Sequence, residues 1–153
     1  PAPLALNGID QEILTAADKL YGLSREAMDA QAIKGWLDAV WTVVADCNRY
    51  FANEKPFDKA LSVERRGTIL YVTAEVVRQV AILAQAAMPE SAAKLLDLLA
   101  VPADKRSFKA LGEAGRLEAG IALPAPAGVF PRWIDPEEEA RRAGQPKPGK
   151  KKS

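Results

Sequence analysis

This chain of 153 residues predicts an all-α fold, an antiparallel helical bundle with an extended C-terminal arm. Three observations carry that expectation. First, in residues 31–58 the apolar positions Ile33, Trp36, Leu37, Val40, Trp41, Val44, Cys47 and Phe51 recur every three or four residues, one helical stripe about five turns long. Second, residues 62–87 carry two adjoining apolar stripes, Ile69/Val72/Val76/Val80/Leu83 and Leu70/Val77/Ala84, the mark of a helix buried between neighbours. Third, Pro56, Pro89 and Pro102 stand where these periodic segments end, and a proline supplies no amide hydrogen to continue a helix.

Residues 1–8 form a proline-rich lead-in. A first helix begins near Ile9 or Asp10, with Ile13, Leu14, Ala17, Leu20 and Tyr21 on one side and Asp10 and Glu12 complementing the positive end of its dipole. Gly22 weakens it and Ser24 offers a cap, so the pattern fits either one kinked helix to Met28 or two helices joined at Gly22. The long central helix covers residues 31–53. A turn over residues 54–61 follows, with Phe57 tucking back as an apolar plug. After the third helix, Glu90 to Leu99 is a short fourth helix whose payload is Leu95, Leu96, Leu98 and Leu99. Asp104 is expected to cap a single turn through Phe108 to Leu111. The bundle is thus assigned to residues 9–111 and an extended, Gly/Pro/Ala-rich arm laid over it to residues 112–135. Residues 136–153 are left as a short surface helix and a disordered basic tail.

With 48% hydrophobic residues a chain of this length can bury roughly 70% of its unfolded surface, so no staple is needed. There is no histidine and a single cysteine, which excludes an internal disulfide, a Cys/His zinc site and histidine-based catalysis within these residues. Cys47, on the apolar stripe, reads as a buried inert thiol. No apolar run approaches a membrane span and the N-terminus has no basic start or cleavage pattern, so a cytoplasmic protein without a membrane partner is expected. Residues 1–130 hold 14 Lys+Arg against 16 Asp+Glu, a net of −2, and residues 131–153 hold 7 against 4, a net of +3. The body is no polycation, and nucleic acid could meet only a local patch or the tail.

No phosphate loop, HExxH or nucleophile with an adjacent base is present. Asp38, Asp46 and Glu75 read as a solvated face or as partners of Arg49 and Arg78. The segment Asp104-Lys105-Arg106-Ser107-Phe108-Lys109 is more telling, because three cations flank one aromatic after a proline break. Cations meet phosphates while an aromatic face stacks an unpaired base. On residues alone a charged turn with Phe108 as a core plug is the stronger account of this segment. The tail lysines read first as a solubilising end.

A set of ordered phrases narrows the choice. Asn48-Arg49-Tyr50-Phe51 precedes Glu54-Lys55-Pro56-Phe57; Leu70-Tyr71, Glu75, Arg78 and Ala81-Ile82-Leu83 follow; then come Met88-Pro89, Ala92 to Leu96, and Phe130-Pro131-Arg132. Together they resemble the C-terminal anticodon-binding helical domain of bacterial methionyl-tRNA synthetase, a class I synthetase, over about residues 9–135. The resemblance implies a tRNA partner read at a CAU anticodon and a second partner in the catalytic domain of the same enzyme. ATP and methionine belong to that catalytic domain, whose HIGH and KMSKS motifs and zinc-binding insertion have no counterpart here. A preceding helix of the family, with an asparagine and an arginine that touch the anticodon, has no counterpart either, so weak tRNA binding is implied. The family's base-stacking aromatic falls at Phe108, which moves Phe108, Lys105, Arg106 and Lys109 toward an RNA-binding role. The rival reading is a protein-docking domain using Phe130, Trp133 and the apolar arm. Without a nucleotide site, the chain is expected neither to bind ATP specifically nor to charge tRNA. Methionine-dependent pyrophosphate exchange is the check, and a clear signal would contradict the expectation.

Overall fold

The computed structural model describes residues 5–130 together with Asp135 and Arg141. Expectations for Trp133, for a helix after Pro136 and for the tail fall outside these residues. Among residues 5–130, four α-helices occur in order: α1 (Gly8–Asp29), α2 (Ile33–Glu54), α3 (Val63–Ala84) and α4 (Pro89–Leu98). Three single 3-10 turns follow at Ala103–Lys105, Phe108–Ala110 and Glu113–Gly115, and there is no strand among the described residues. The helices α1, α2 and α3 pack on one another, and α4 packs on α3.

Each boundary has a local cause. Asn7 caps α1 in a reciprocal capping box: its Oδ1 accepts from the Asp10 amide at 2.9 Å, and Asp10 Oδ2 accepts from the Asn7 amide at 3.0 Å. Of the two arrangements open at Gly22, the single helix is the one formed, and Ser24 lies buried inside it. Ser62 caps α3 through the Arg65 amide at 3.1 Å. Pro89 does not end α3, which stops earlier at Ala84; it occupies the first turn of α4, where a missing amide hydrogen costs nothing. Asp104 caps nothing: two separate 3-10 turns replace the expected single turn.

The direction of the bundle is fixed by one polar cluster. Asp10, at the start of α1, is fully buried. It accepts from the Tyr50 hydroxyl of α2 at 2.6 Å and from Arg65 Nη1 and Nη2 of α3 at 2.5 and 3.0 Å. Arg65 Nη2 also reaches Glu54 Oε2 at 2.5 Å. The N-termini of α1 and α3 therefore meet the C-terminus of α2, which sets α2 antiparallel to both. Burial pushes the Asp10 carboxyl up, but the hydrogen bonds from Arg65, Tyr50 and Asn7 outweigh it and hold the group below its ordinary 3.8.

The main core joins Leu14, Ala17 and Leu20 of α1 to Trp36, Val40, Val43, Cys47 and Tyr50 of α2 and to Ile69, Val72, Val76 and Leu83 of α3. A smaller core of Ala81, Ile82, Leu96 and Val101 seats α4. Cys47 is buried and its thiol is pushed up to about 11 by that burial. Three sequence expectations are corrected. The buried stripe of α2 is rotated from the predicted one: Ile33, Leu37 and Trp41 are exposed, Trp41 by 52%, because α2 has neighbours on one side only. Phe57 is no plug; it is 82% exposed, its ring edge-to-face with that of Phe51 at a centroid distance of 5.5 Å. And α3 is long and apolar enough, by length and composition, to cross a membrane, although 61% of that window is buried inside the bundle.

Asp10→Asn is expected to cost about 3 kcal/mol, since it leaves Arg65 without its buried partner. Because the folded pKa of Asp10 lies below 3.8, its contribution is complete above that pH and is lost as pH falls through the lowered value. Urea titrations should therefore show a shallower acid decline below about pH 4 in Asp10→Asn than in the parent. Trp36→Ala is expected to cost about 3–5 kcal/mol and the half-exposed Trp41→Ala about 1 kcal/mol, measured the same way.

Candidate nucleic-acid interface

The residues around Phe108 form a strap that leaves α4, turns at Phe108–Ala110 and crosses α1 and α3. Buried groups of α3 hold it. Arg78 is 1% exposed and Glu75 fully buried. Arg78 Nε and Nη2 donate to the two Glu75 oxygens at 2.9 and 2.6 Å, and Nη1 donates to the Ala110 carbonyl at 2.6 Å. Glu75 Oε2 accepts from the Leu117 amide at 3.0 Å, and Gln79 Oε1 accepts from the Gly112 amide at 3.1 Å. Arg116 reaches Asp18 on α1 at 2.7 Å, and the Tyr71 hydroxyl donates to the Leu117 carbonyl at 3.1 Å. The strap passes so close to itself that a Cβ at Gly115 would overlap the Ala110 carbonyl, and Gly112 turns with φ 77°, a conformation open to glycine. From residue 119 to 128 the arm is exposed, including Ile121 and Leu123, and so is Phe130.

Glu75 is thus the partner of Arg78, as its spacing suggested, but on a buried face. Asp38 pairs with Lys34 and Asp46 with Arg49 on the exposed side of α2.

Phe108 is 46% exposed, which is too open for a core plug. Its ring leans on Tyr21 of α1, centroids 5.9 Å apart and planes 37° to one another. Beside it opens an apolar pocket of about 160 Å³ lined by Tyr21, Ser24, Arg25, Met28, Trp36, Leu83, Ala86 and Phe108. The Ser24 hydroxyl in its wall is buried and lacks a partner.

The three cations of the segment fare differently. Lys109 is exposed and forms no ion pair with a described residue. Lys105 pairs with Glu118 at 2.7 Å in the open, an interaction worth little against a phosphate, and it lines a different hollow from Phe108. Arg106 is structural: Nε and Nη2 hold the Val101 carbonyl at 2.9 and 2.5 Å, and Nη2 reaches Asp97 at 2.7 Å. Sequence reasoning missed Tyr21 and Arg25, which lie on one side of α1 four residues apart and supply the second ring and a fully exposed cation beside Phe108. Nothing in the periodicity of α1 points from them to position 108.

No family model matches the chain. It is 56% identical over 129 residues to the methionine–tRNA ligase of Rhizobium meliloti, covering 84% of this chain and 25% of that protein. It is 48% identical over 140 residues to the methionine–tRNA ligase of Brucella suis, covering 91% and 27%. This chain is homologous to part of methionyl-tRNA synthetase. The fold agrees: the crystal structure of the free Mycobacterium tuberculosis methionyl-tRNA synthetase superimposes with a TM-score of 0.81 at 43% identity, over 89% of this chain and 28% of that one. The same enzyme in complex with methionyl-adenylate gives 0.81 at 45% identity, over 86% and 26%. The chain spans about a quarter of the length of the curated methionyl-tRNA synthetases it matches.

Arg106→Ala is expected to lower stability by about 1–2 kcal/mol, through loss of charge-assisted bonds at the end of α4. Lys109→Ala should leave thermal denaturation unchanged. Equal melting curves for the two would remove the structural assignment of Arg106.

Proposed function

We propose that this chain is the tRNA anticodon-binding region of a methionine–tRNA ligase, and that Phe108 stacks on an unpaired base. The observation that carries the reading is a half-exposed aromatic, backed by the Tyr21 ring and flanked by the exposed Lys109 and Arg25, in a chain homologous to part of methionyl-tRNA synthetase. A stacking platform needs an open face and a fixed backing; Phe108 offers the first and Tyr21 the second. Lys109 and Arg25 are exposed beside the ring to meet phosphates, Lys105 can do so by leaving its exposed pair with Glu118, and Arg106 holds the turn that presents Phe108 and Lys109. Activation of methionine with ATP belongs to the remainder of such an enzyme, with which this region would pair.

A second reading is favoured by one observation, the exposure of Ile121, Leu123 and Phe130 along the arm. On that reading the arm docks on a protein surface, with the catalytic domain of the same enzyme as partner, and the chain alone ignores RNA.

Fluorescence anisotropy with an RNA hairpin bearing a CAU loop separates the two. Phe108→Ala should weaken binding about ten- to a hundredfold, with the salt slope nearly unchanged, because stacking on an aromatic is worth roughly 1–3 kcal/mol and releases no counterion. Lys105→Ala and Lys109→Ala should each flatten the slope by about one counterion. Loss of binding that tracks loss of fold, with normal binding whenever Phe108→Ala is folded, would reject the stacking role. No binding by the parent, with capture of the catalytic domain abolished by Trp133→Ala, would establish the docking reading instead.

A further inference from the structure

The turn that carries Phe108 is weakly held by its own backbone, with the Ala110 amide on the Ser107 carbonyl at 2.9 Å and the Leu111 amide on the Phe108 carbonyl at 3.3 Å. Three residues of 3-10 helix make a single weak turn, and among the described residues the ring contact of Phe108 is the tilted one with Tyr21. Yet the backbone is gripped two residues to either side. On one side Gln85 Nε2 donates to the Arg106 carbonyl at 2.9 Å; on the other Arg78 Nη1 donates to the Ala110 carbonyl at 2.6 Å. Arg78 and Gln85 stand seven residues apart, which places them on one stripe of the α3 region about 10 Å apart along its axis. The two carbonyls they hold bracket the aromatic.

Arg78 reaches its carbonyl because Glu75 fixes the other edge of the guanidinium. With Nε and Nη2 engaged by both carboxylate oxygens, the planar fork leaves Nη1 one direction in which to point. We propose that Glu75, Arg78 and Gln85 are positioning residues for RNA recognition, which set the Phe108 ring before a base arrives. None of the three is asked to touch RNA. They act by removing the conformational freedom that Phe108 would otherwise lose on binding. The proposal rests on the RNA-binding reading above, and it extends that reading from the exposed ring to a buried charge pair on another element.

The test is a double-mutant cycle. Arg78→Lys keeps the charge but cannot span Glu75 and Ala110 together, and Gln85→Ala releases the half-buried grip at Arg106 together with a local bond to the Ile82 carbonyl of α3. The second variant keeps the test alive if the first folds poorly. Both are measured for binding of the CAU-loop hairpin at temperatures where circular dichroism shows a folded protein, in the parent and in the Phe108→Ala background. The ring-to-ring nuclear Overhauser effect between Tyr21 and Phe108 is read in the samples that keep Phe108. The expected result is a loss of about tenfold in the parent background with an unchanged salt slope. No further loss is expected in the Phe108→Ala background, and the Tyr21–Phe108 effect should weaken. Equal losses in both backgrounds, no loss in the parent, or an undiminished ring contact would overturn the positioning role while leaving the RNA reading in place. Unaltered RNA binding by Phe108→Ala itself would reject that reading, and this proposal with it.

Discussion

Glu75 and Arg78 form an ion pair with both side chains at most 1% exposed, in the middle of α3, the most deeply buried helix among the described residues. Two charges removed from water are tolerated only if nearly every donor and acceptor is satisfied. Here the satisfaction comes from elsewhere in the sequence: the amide of Leu117, the carbonyl of Ala110 and the side chain of Gln79, which is tied in turn to Asp18 at 2.7 Å. The pair is therefore stable only when the strap is in place, and the strap lies where it does because the pair needs it. Helix α3 serves at once as the core of the bundle and as the post on which the strap hangs.

A second polar cluster does comparable work at the opposite end of the bundle. Asp10 gathers Asn7, Tyr50 and Arg65, and Arg65 brings in Glu54. Apolar stripes specify that helices pack, but they leave the direction and offset of packing loosely defined. Hydrogen bonds among groups that cannot be left bare pin one arrangement. With one cluster joining the ends of α1, α2 and α3 and another tying the strap to α3 and α1, the exposed ring of Phe108 is referred to a rigid frame. Among the apolar residues that remain open, Ile33, Leu37 and Trp41 on α2 and Ile121, Leu123 and Phe130 on the arm lie outside that frame. They belong to a chain spanning about a quarter of the relatives it matches.

Much of this architecture was legible in the order of residues. Periodicity and the prolines placed four helices with boundaries close to the observed ones, because helix formation and termination depend on neighbours within a few positions. The resemblance to methionyl-tRNA synthetase was legible for a related reason, since its phrases are short, ordered and local. Burial of Cys47 followed from its place on the stripe. Where two apolar stripes adjoin, local pattern fails. Ile33, Leu37 and Trp41 are as well spaced as Val43, Cys47 and Tyr50, and which set faces inward depends on where α1 and α3 lie.

The candidate segment stood out by its residue types, while its construction did not show in the sequence. Three cations about one aromatic suggested phosphate and base, and that chemistry is written in residue identity. Chain order could not say that Arg106 is consumed at the end of α4, that Lys105 leans away toward Glu118, or that Tyr21 and Arg25 arrive from 80 or more positions earlier. Glu75 and Arg78 at i and i+3 look the same in sequence whether they lie in water or in a core. Burial, and with it the whole strap, is settled by contacts between residues remote in the chain, whose energies arise only when distant segments exclude water together.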